Sequence, residues 1–429
     1  MAKPNAQHIV VIGGGAAGLM AARELARAGR RVTLLEARDR CGGRIYPLPN
    51  AEFGYAAEGG AEFVHGEAPV THGLLREAGL KLLPIQGTPR TIEDGEFLRR
   101  DVQAPHQAEL QKALQDLTED LTVAEFLRRH FASPLYGGLR RSIERMAEGY
   151  DAADPERAST LALREEWMDG GNHAQGRIIG GYGALVEFLT AECRHHAVAI
   201  YLGAAVSAIE ATDGGVLVRC ANGDAHTGDA VILTVPLPLL NQIVLPAAER
   251  ERAAAAANIG FGNVIKILLR FETAWWLDQR RDLVDLTFLL SDAGIPVWWT
   301  QHPADLPVLT GWFGGPKTRS MANLGEHQLV EEGLASIAEI FGVDSKLVVR
   351  KLVAARAINW AHDTYAGGAY SYATPGTRGA QAVLSRCDGG TIFFSGEALY
   401  RGRDMGTVEA ALASGLATAR ALLGWNVVA

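Results

Sequence analysis

A glycine-rich turn near the start of the chain has the residue types and spacing of a dinucleotide-binding site. Gly13, Gly15 and Gly18 form a G-x-G-x-x-G pattern between an apolar run and an alanine-rich run. The first glycine permits a tight bend, the second lets the backbone approach a pyrophosphate, and the third lets a helix pack closely on a strand. Glu36 follows Gly13 by 23 positions, where a carboxylate can accept hydrogen bonds from an adenosine ribose. FAD and NAD both use such a turn, so the motif alone does not choose between them.

Four further side chains could take part in chemistry, although their local patterns alone favour structural roles. Lys266 alternates with apolar residues, which predicts a polar residue on a half-exposed face of a strand. Tyr370 and Trp360 are of a type that usually packs in a core. His65 lies in a loop-like stretch, where a lone histidine is usually a surface residue. The pattern therefore leaves these four roles open.

Regular elements must position these residues. The run "HIVVI" is typical of a short strand, the segment from 16 to 29 of an amphipathic helix, and "RVTLLE" of a second, parallel strand. Helical periodicity dominates from about 105 to 190, and several runs after 260 alternate like strands. A strand, a loop and a helix follow after 390. The sequence thus predicts an α/β chain with a dinucleotide-binding sheet and a second sheet.

Length and composition limit the class of protein. A chain of 429 residues is long enough for two domains, and its net charge of -8 argues against a nucleic-acid partner. We find no secretory leader and no run of about 18 apolar residues, which predicts a cytoplasmic protein without a membrane anchor. The cysteines at 41, 193, 220 and 387 form no C-x-x-C pair, which favours reduced thiols over disulfides or zinc.

Several longer blocks resemble the flavin-dependent amine oxidase superfamily. "EARDRCGGR" (36–44) resembles its second glycine signature, and "EGGAEFVHG" (58–66) resembles the loop beside the flavin ring. The blocks at 180–189, 204–240, 262–276, 359–376 and 392–415 resemble the remaining signatures in the same order. This resemblance covers most of the chain and implies FAD as the cofactor.

The resemblance also implies roles for individual residues. Lys266 matches a lysine that holds a water against the flavin N5 atom, Tyr370 one wall of an aromatic cage for the amine, and Trp360 a tryptophan near the ring. His65 matches the histidine of a W-x-H-G motif of polyamine oxidases, with Phe63 in place of the tryptophan. The cofactor-binding residues that we expect are Gly13, Gly15, Ala16, Ala17, Gly18, Glu36, Ala37, Arg38, Gly42, Gly43, Arg44, Gly60, Ala61, Glu62, Val206, Trp360, Gly396, Glu397, Gly406, Thr407 and Val408.

The expected fold is a Rossmann-like FAD-binding domain interleaved with an α+β substrate domain. We expect the substrate domain to contain helices and a mixed or antiparallel sheet. The FAD-binding domain should comprise residues 1–80, 177–260 and 368–429. Residues 81–176 and 261–367 should form the substrate domain.

Three departures from the superfamily pattern bear on cofactor and substrate. Ala369 stands where some monoamine oxidases carry a flavin-linked cysteine, so FAD should be bound noncovalently. Thr407 stands where they carry a second cage tyrosine, so the cage should be incomplete, as in polyamine oxidases. The loop at 59–66 has no arginine to bind a substrate carboxylate, which weighs against amino acids, although Arg177 or Arg356 could approach from elsewhere.

The expected activity is therefore the FAD-dependent oxidation of an amine by oxygen. A hydride equivalent passes from the carbon next to nitrogen to flavin N5, the imine is hydrolysed, and reoxidation yields hydrogen peroxide. Di- or polyamines are favoured over monoamines, because the incomplete cage and the position of His65 resemble polyamine oxidases. His65 and Glu62 could lie on the substrate side, where an extended amine would need a carboxylate for its distal ammonium group. The alternatives are an L-amino-acid oxidase, an FAD-dependent desaturase, or a catalytically silent flavoprotein. The expected partners are a small amine and oxygen, and a homodimer stays open.

Overall fold

The computed structural model describes residues 7–93, 95–99, 106–168, 175–386 and 390–424. The strands, numbered in chain order, are β1 His8–Ile12, β2 Arg31–Leu35, β3 Val64–His65, β4 Leu82–Pro84, β5 Thr88–Glu93, β6 Glu96–Arg99, β7 Gln175–Ile178, β8 Ala199–Tyr201, β9 Val206–Ala211, β10 Val216–Cys220, β11 Ala225–Gly228, β12 Ala230–Leu233, β13 Gly260–Gly262, β14 Val264–Phe271, β15 Leu286–Leu290, β16 Val297–Thr300, β17 Val308–Gly314, β18 Leu352–Asn359, β19 Tyr370–Tyr372 and β20 Ile392–Phe394.

The α-helices alternate with these strands along much of the chain. They are α1 Ala16–Arg27, α2 Asn50–Phe53, α3 Pro69–Ala78, α4 Gln107–Gln115, α5 Val123–His130, α6 Gly137–Gly149, α7 Thr160–Met168, α8 Gly181–His195, α9 Ala247–Ala254, α10 Trp276–Gln279, α11 Glu326–Phe341, α12 Ser345–Lys351, α13 Thr377–Leu384 and α14 Val408–Leu422. None of these helices, within the described residues, combines the length and apolar content that crossing a membrane requires.

A five-stranded parallel sheet carries the glycine turn. Its strand order is β20-β12-β1-β2-β8. All of its strands except the edge strand β8 are largely buried, because α1, α8 and α14 pack on one face and strands β9 and β10 with α9 and α13 pack on the other. Helix α1 follows β1 directly and packs against α14, where a Cβ on Gly415 would lie 2.2 Å from the carbonyl oxygen of Ala17. The last long helix of the chain therefore closes over the first.

A seven-stranded mixed sheet forms the second centre of the molecule. Its order is β18-β14-β17-β16-β15-β5-β6, antiparallel except between β15 and β5. Helix α11 covers one face of β14, and residues around Trp360 and Phe53 pack on the other face, so this strand, second from the edge, is buried on both sides. Helices α4 to α6 build a separate core. The α/β prediction with two sheets is confirmed.

The chain supplies the two sheets from different segments. All strands of the parallel sheet come from the segments that we expect to bind the cofactor, and those of the mixed sheet come from the others. The exact boundaries stay a prediction. Cys41, Cys193 and Cys220 carry free thiols, whereas Cys387 lies outside the described residues.

Candidate active site

One continuous cavity of about 2130 Å³ connects the glycine turn with the mixed sheet. Gly13 and Gly15 line one end, Lys266 and Tyr370 line a central part, and Glu93 lies on its wall farther along the mixed sheet. Every predicted site residue except Gly18 lines this cavity. The structure thus brings together residues from position 13 to position 408, whose individual roles remain predictions.

The glycine turn surrounds an open space at the end of the cavity, which we call the cradle. Side chains at Gly13, Gly15 and Gly18 would fill this space or push the backbone apart. Gly13 has a φ of +103°, and a Cβ on Gly18 would lie 1.9 Å from the Gly13 carbonyl oxygen. Gly18 therefore lets α1 approach β1, which explains why it does not face the cavity. A Cβ on Gly15 would meet only the carbonyl oxygen of Gly42, at 3.9 Å, and would otherwise occupy the cavity. The residues present fit a pyrophosphate at the start of α1.

Glu36 is fixed at the end of β2 by two backbone donors. Its Oε2 atom accepts a hydrogen bond of 2.7 Å from the Gly14 amide, and Oε1 accepts one of 2.8 Å from the Arg38 amide. The side chain is 3% exposed and lines the cavity. This geometry suits a carboxylate that accepts hydrogen bonds from the ribose hydroxyl groups of a dinucleotide.

Arg44 lines the cavity and connects it to the segments that contain Ala369 and Glu397. Its Nη1 atom donates to Glu397 Oε1 at 2.8 Å and to the carbonyl oxygen of Ala369 at 2.7 Å. A Cβ on Gly60 would lie 1.9 Å from the Arg44 carbonyl oxygen and 3.2 Å from the Trp360 ring. Arg44, Gly60 and Trp360 therefore pack as one unit beside the cavity.

Lys266 is buried, so the prediction of a half-exposed strand face is wrong. The side chain has no exposed surface, because both faces of β14 are covered. Its Nζ atom donates to Glu62 Oε2 at 2.9 Å and to the Gly60 carbonyl oxygen at 3.0 Å. It also lies 5.5 Å from the centre of the Trp299 ring. A buried ammonium group thus lines the cavity with a fixed orientation.

Glu62 is the common acceptor of this buried cluster. Its Oε1 atom accepts from Arg177 Nε at 2.8 Å, from Trp299 Nε1 at 3.1 Å and from Gln301 Nε2 at 3.2 Å. Burial alone would raise the pKa of Glu62, but the charges of Lys266 and Arg177 outweigh it and lower the pKa to about 2. Glu62 therefore serves these cations, and we no longer assign it to a distal ammonium group of the substrate.

The two arginines considered for a substrate carboxylate are engaged elsewhere. Besides Glu62, Arg177 donates to the carbonyl oxygens of Thr300 at 3.0 Å and His302 at 3.4 Å. Arg356 pairs with Glu52 at 2.6 Å. Neither arginine is among the described residues that line the cavity. These positions do not support a carboxylate clamp.

An aromatic wall extends from Lys266 across the mixed sheet. In the ladders, Lys266 lies opposite Trp312 and Trp312 lies opposite Val297, so their side chains share one face. The Trp312 and Tyr370 rings are nearly parallel, with centroids 6.3 Å apart and planes at 24°. The sequence did not point to Trp312, because the face on which this side chain lies depends on a strand register that one strand alone does not reveal.

The end of α6 anchors both rings. Trp312 Nε1 donates to the Gly149 carbonyl oxygen at 2.7 Å, and the Tyr370 hydroxyl donates to the Tyr150 carbonyl oxygen at 2.7 Å. The Tyr150 hydroxyl in turn lies 3.1 Å from His65 Nδ1. His65 and Tyr370 are thus linked through Tyr150 on one side of the cavity.

Thr407 has a structural contact that its sequence position did not indicate. Its Oγ1 atom accepts from the Ala410 amide at 3.1 Å and donates to the Asp404 carbonyl oxygen at 2.6 Å. This is an N-cap of α14. Thr407 lines the cavity, but its hydroxyl group already donates one hydrogen bond and accepts another within the protein.

Comparison with known proteins places this geometry in a family. The family model for flavin containing amine oxidoreductases matches residues 16–423. Polyamine oxidase 4 of Oryza sativa subsp. japonica is 25% identical over 450 residues, which cover 96% of this chain and 87% of that protein. Lysine-specific histone demethylase 1 homolog 3 of Arabidopsis thaliana is 27% identical over 91% of this chain, which spans only 28% of that longer protein.

Solved structures share the fold. Putrescine oxidase bound to putrescine superposes with a TM-score of 0.79 at 20% identity, covering 97% of this chain and 99% of the other. Cyclohexylamine oxidase from Brevibacterium oxydans IH-35A superposes with a TM-score of 0.78 at 20% identity, covering 98% and 99%. With the family model spanning nearly the whole chain and the cradle fitting the cofactor, the protein belongs to the flavin containing amine oxidoreductase family and is an FAD-dependent oxidoreductase.

Proposed function

We propose that the protein oxidises an amine with oxygen as the acceptor, releasing hydrogen peroxide, and that di- or polyamines are preferred over monoamines. The observation that carries this proposal is the buried Lys266 ammonium beside the aromatic wall, in a cavity that continues into the dinucleotide cradle. FAD, when bound, supplies the acceptor for the hydride equivalent that leaves the carbon next to nitrogen. The imine product is hydrolysed by water.

The chain's own residues would bind and orient the amine and favour its neutral form, with the proton passing to solvent water. Two cations, the buried Lys266 and the partly buried Arg177, share the carboxylate of Glu62. Burial raises the pKa of the neighbouring Glu58 to about 7, so below that pH the cluster carries a net positive charge. Such a charge lowers the pKa of a nearby alkylammonium group and favours the neutral amine that oxidation requires. Trp312 and Tyr370 exclude water and hold the substrate carbon in one orientation.

The reach of the cavity supports an extended substrate. Strand β5 lies four strands from β14 in the mixed sheet, which is roughly 19 Å at ordinary strand spacing. Thr91 and Glu93 of β5 line the same cavity as Lys266, and so does Glu339. A small monoamine would not extend that far from Lys266, whereas a polyamine could place a distal ammonium group near the carboxylates of Glu93 and Glu339.

The test is anaerobic bleaching of the visible flavin absorbance of the purified holoenzyme. Monoamines, putrescine, spermidine, spermine and L-amino acids are mixed with it separately. Fast bleaching by di- or polyamines, followed by peroxide and an aminoaldehyde in air, is the expected result. Faster bleaching by monoamines would overturn the preference, and bleaching by L-amino acids alone would favour an amino-acid oxidase. No bleaching at all would favour a desaturase or a silent flavoprotein.

The double variant E93Q/E339Q sharpens the substrate test. Loss of both carboxylates should raise KM for spermidine several-fold while leaving KM for a simple monoamine unchanged. Equal changes for both substrates would contradict a distal ammonium subsite.

We also propose a cytoplasmic location, which the free thiols of Cys41, Cys193 and Cys220 support.

A further inference from the structure

Two chain segments run alongside each other across the dinucleotide end of the cavity. One contains Arg38 and Arg44, and the other contains Asp363 and Ala369. Arg38 Nη2 binds Asp363 Oδ1, and Arg44 Nη1 binds the Ala369 carbonyl oxygen. The arginines are six residues apart, and so are their partners. Two cross-links therefore join the adenosine-side turn to the segment that leads into Tyr370.

The two cross-links differ in how firmly they are held. Arg44 also binds Glu397, whose side chain is 5% exposed. Asp363, by contrast, has a side chain 29% exposed, and its partner Arg38 is 12% exposed. Arg44 is itself 25% exposed, but its Nη1 atom is held by two acceptors, one of them the buried Glu397. Because Asp363 is the more exposed acceptor, we expect the Arg38 cross-link to open first.

Asp363 and Tyr365 together hold the Arg38 side chain over the cavity. Asp363 Oδ1 accepts from the Tyr365 amide at 2.8 Å, which fixes the turn. The Arg38 guanidinium carbon lies 5.5 Å from the centre of the Tyr365 ring, and both residues line the cavity. The Arg38 backbone is itself fixed, since its amide donates to Glu36 and its carbonyl oxygen accepts from the Gly203 amide at 2.8 Å.

We propose that Asp363 is a cofactor-retaining residue, whose ion pair with Arg38 closes the adenosine end of the cavity over FAD. The two ends of this cross-link lie 325 residues apart in the sequence, on the cofactor side and on the loop after β18. Opening the pair frees the Arg38 side chain from the Asp363 segment at the adenosine end and lets FAD leave, while the Arg44 cross-link stays in place.

The experiment measures FAD release from the holoenzyme as the rise in free-flavin fluorescence after dilution. D363N keeps an oxygen that can accept from the Tyr365 amide but removes the charge, so release should be about five- to tenfold faster. The difference from wild type should shrink in high salt, because salt weakens the wild-type pair. D363S, whose hydroxyl can also accept from that amide, provides a second variant should D363N fold poorly.

Matched variants separate retention from general stability. E52Q removes the partner of Arg356, another partly exposed inter-segment pair, and should release FAD at the wild-type rate. R38Q/D363N should release FAD no faster than R38Q, since the partner is already gone. Release from D363N within twofold of wild type would overturn the proposal. So would an equal acceleration in E52Q, or a lowered melting temperature of the D363N apoprotein that accounts for the change.

Discussion

The Nζ atom of Lys266 lies 2.9 Å from Oε2 of Glu62, and neither side chain is more than 8% exposed. Arg177 reaches the other oxygen of the same carboxylate. One anion therefore holds two cations in place beside the cavity. This relationship makes Glu62 the residue on which the cluster depends.

Glu62→Gln should destabilise the protein by about 3 kcal/mol, because the buried Lys266 and the partly buried Arg177 would lose the carboxylate that binds them both. Chemical denaturation at neutral pH measures the change. Since the folded pKa of Glu62 is about 2, below its unfolded value, its stabilisation is present above pH 4.5 and is lost as the pH falls toward 2. A variant as stable as wild type at pH 7, with the same acid unfolding curve, would contradict this role.

Lys266→Met should leave FAD bound but slow turnover or flavin reoxidation at least tenfold. The substitution keeps an apolar chain of similar length in a fully buried site, so the fold should survive. Stopped-flow spectroscopy separates bleaching by amine from reoxidation by oxygen. An unchanged rate in both half-reactions would remove Lys266 from the reaction.

Glu58→Gln should stabilise the protein at alkaline pH. Burial raises the pKa of Glu58 to about 7, against the Gly183 amide and the Lys266 charge, which lower it. Because the folded pKa lies above the unfolded value, stability is lost as the pH rises from about 4.5 to 7, by roughly 3 kcal/mol in total. Thermal unfolding of both proteins at pH 5 and pH 8 tests this, and a difference that does not grow with pH would count against it.

Trp312→Ala should raise KM for the amine about tenfold, because one aromatic surface beside Tyr370 is lost. Trp312→Phe keeps a ring but loses the hydrogen bond to Gly149, so its effect should be smaller. Steady-state kinetics with the best amine measure both. Equal KM values for wild type and both variants would show that the substrate does not touch this wall.

Gly15→Ala should abolish FAD retention while leaving the apoprotein folded, because the new Cβ would occupy the cradle. Gly379→Ala is the control, since Gly379 lies in α13 and a Cβ there meets no atom within 4 Å. The ratio of visible to ultraviolet absorbance after dialysis measures the bound flavin. Full occupancy in Gly15→Ala would show that the pyrophosphate lies elsewhere.

The sequence predicted the fold class and the cofactor correctly where a short run of residues determines both the local structure and the ligand. The glycine turn, Glu36 and the order of the blocks predicted the α/β class and FAD, because each depends on contiguous residues. Burial of Lys266 was mispredicted, because alternation reports which face a residue takes and not whether another layer covers it. Trp312 and Asp363 were missed for a different reason. Their positions depend on strand register and on contacts between segments hundreds of residues apart.

The packing of α14 against α1 also constrains when the site can form during protein synthesis. The cradle residues near position 15 emerge early, but Glu397 and Gly406, which line the same cavity, belong to the last tenth of the chain. While the residues after 390 are still inside the ribosome, the nascent chain has its glycine turn but lacks Glu397 and Gly406 on the cavity wall. Stable flavin uptake therefore requires that the segment through α14 has left the ribosome and packed on α1, so bound flavin reports that these two helices have docked.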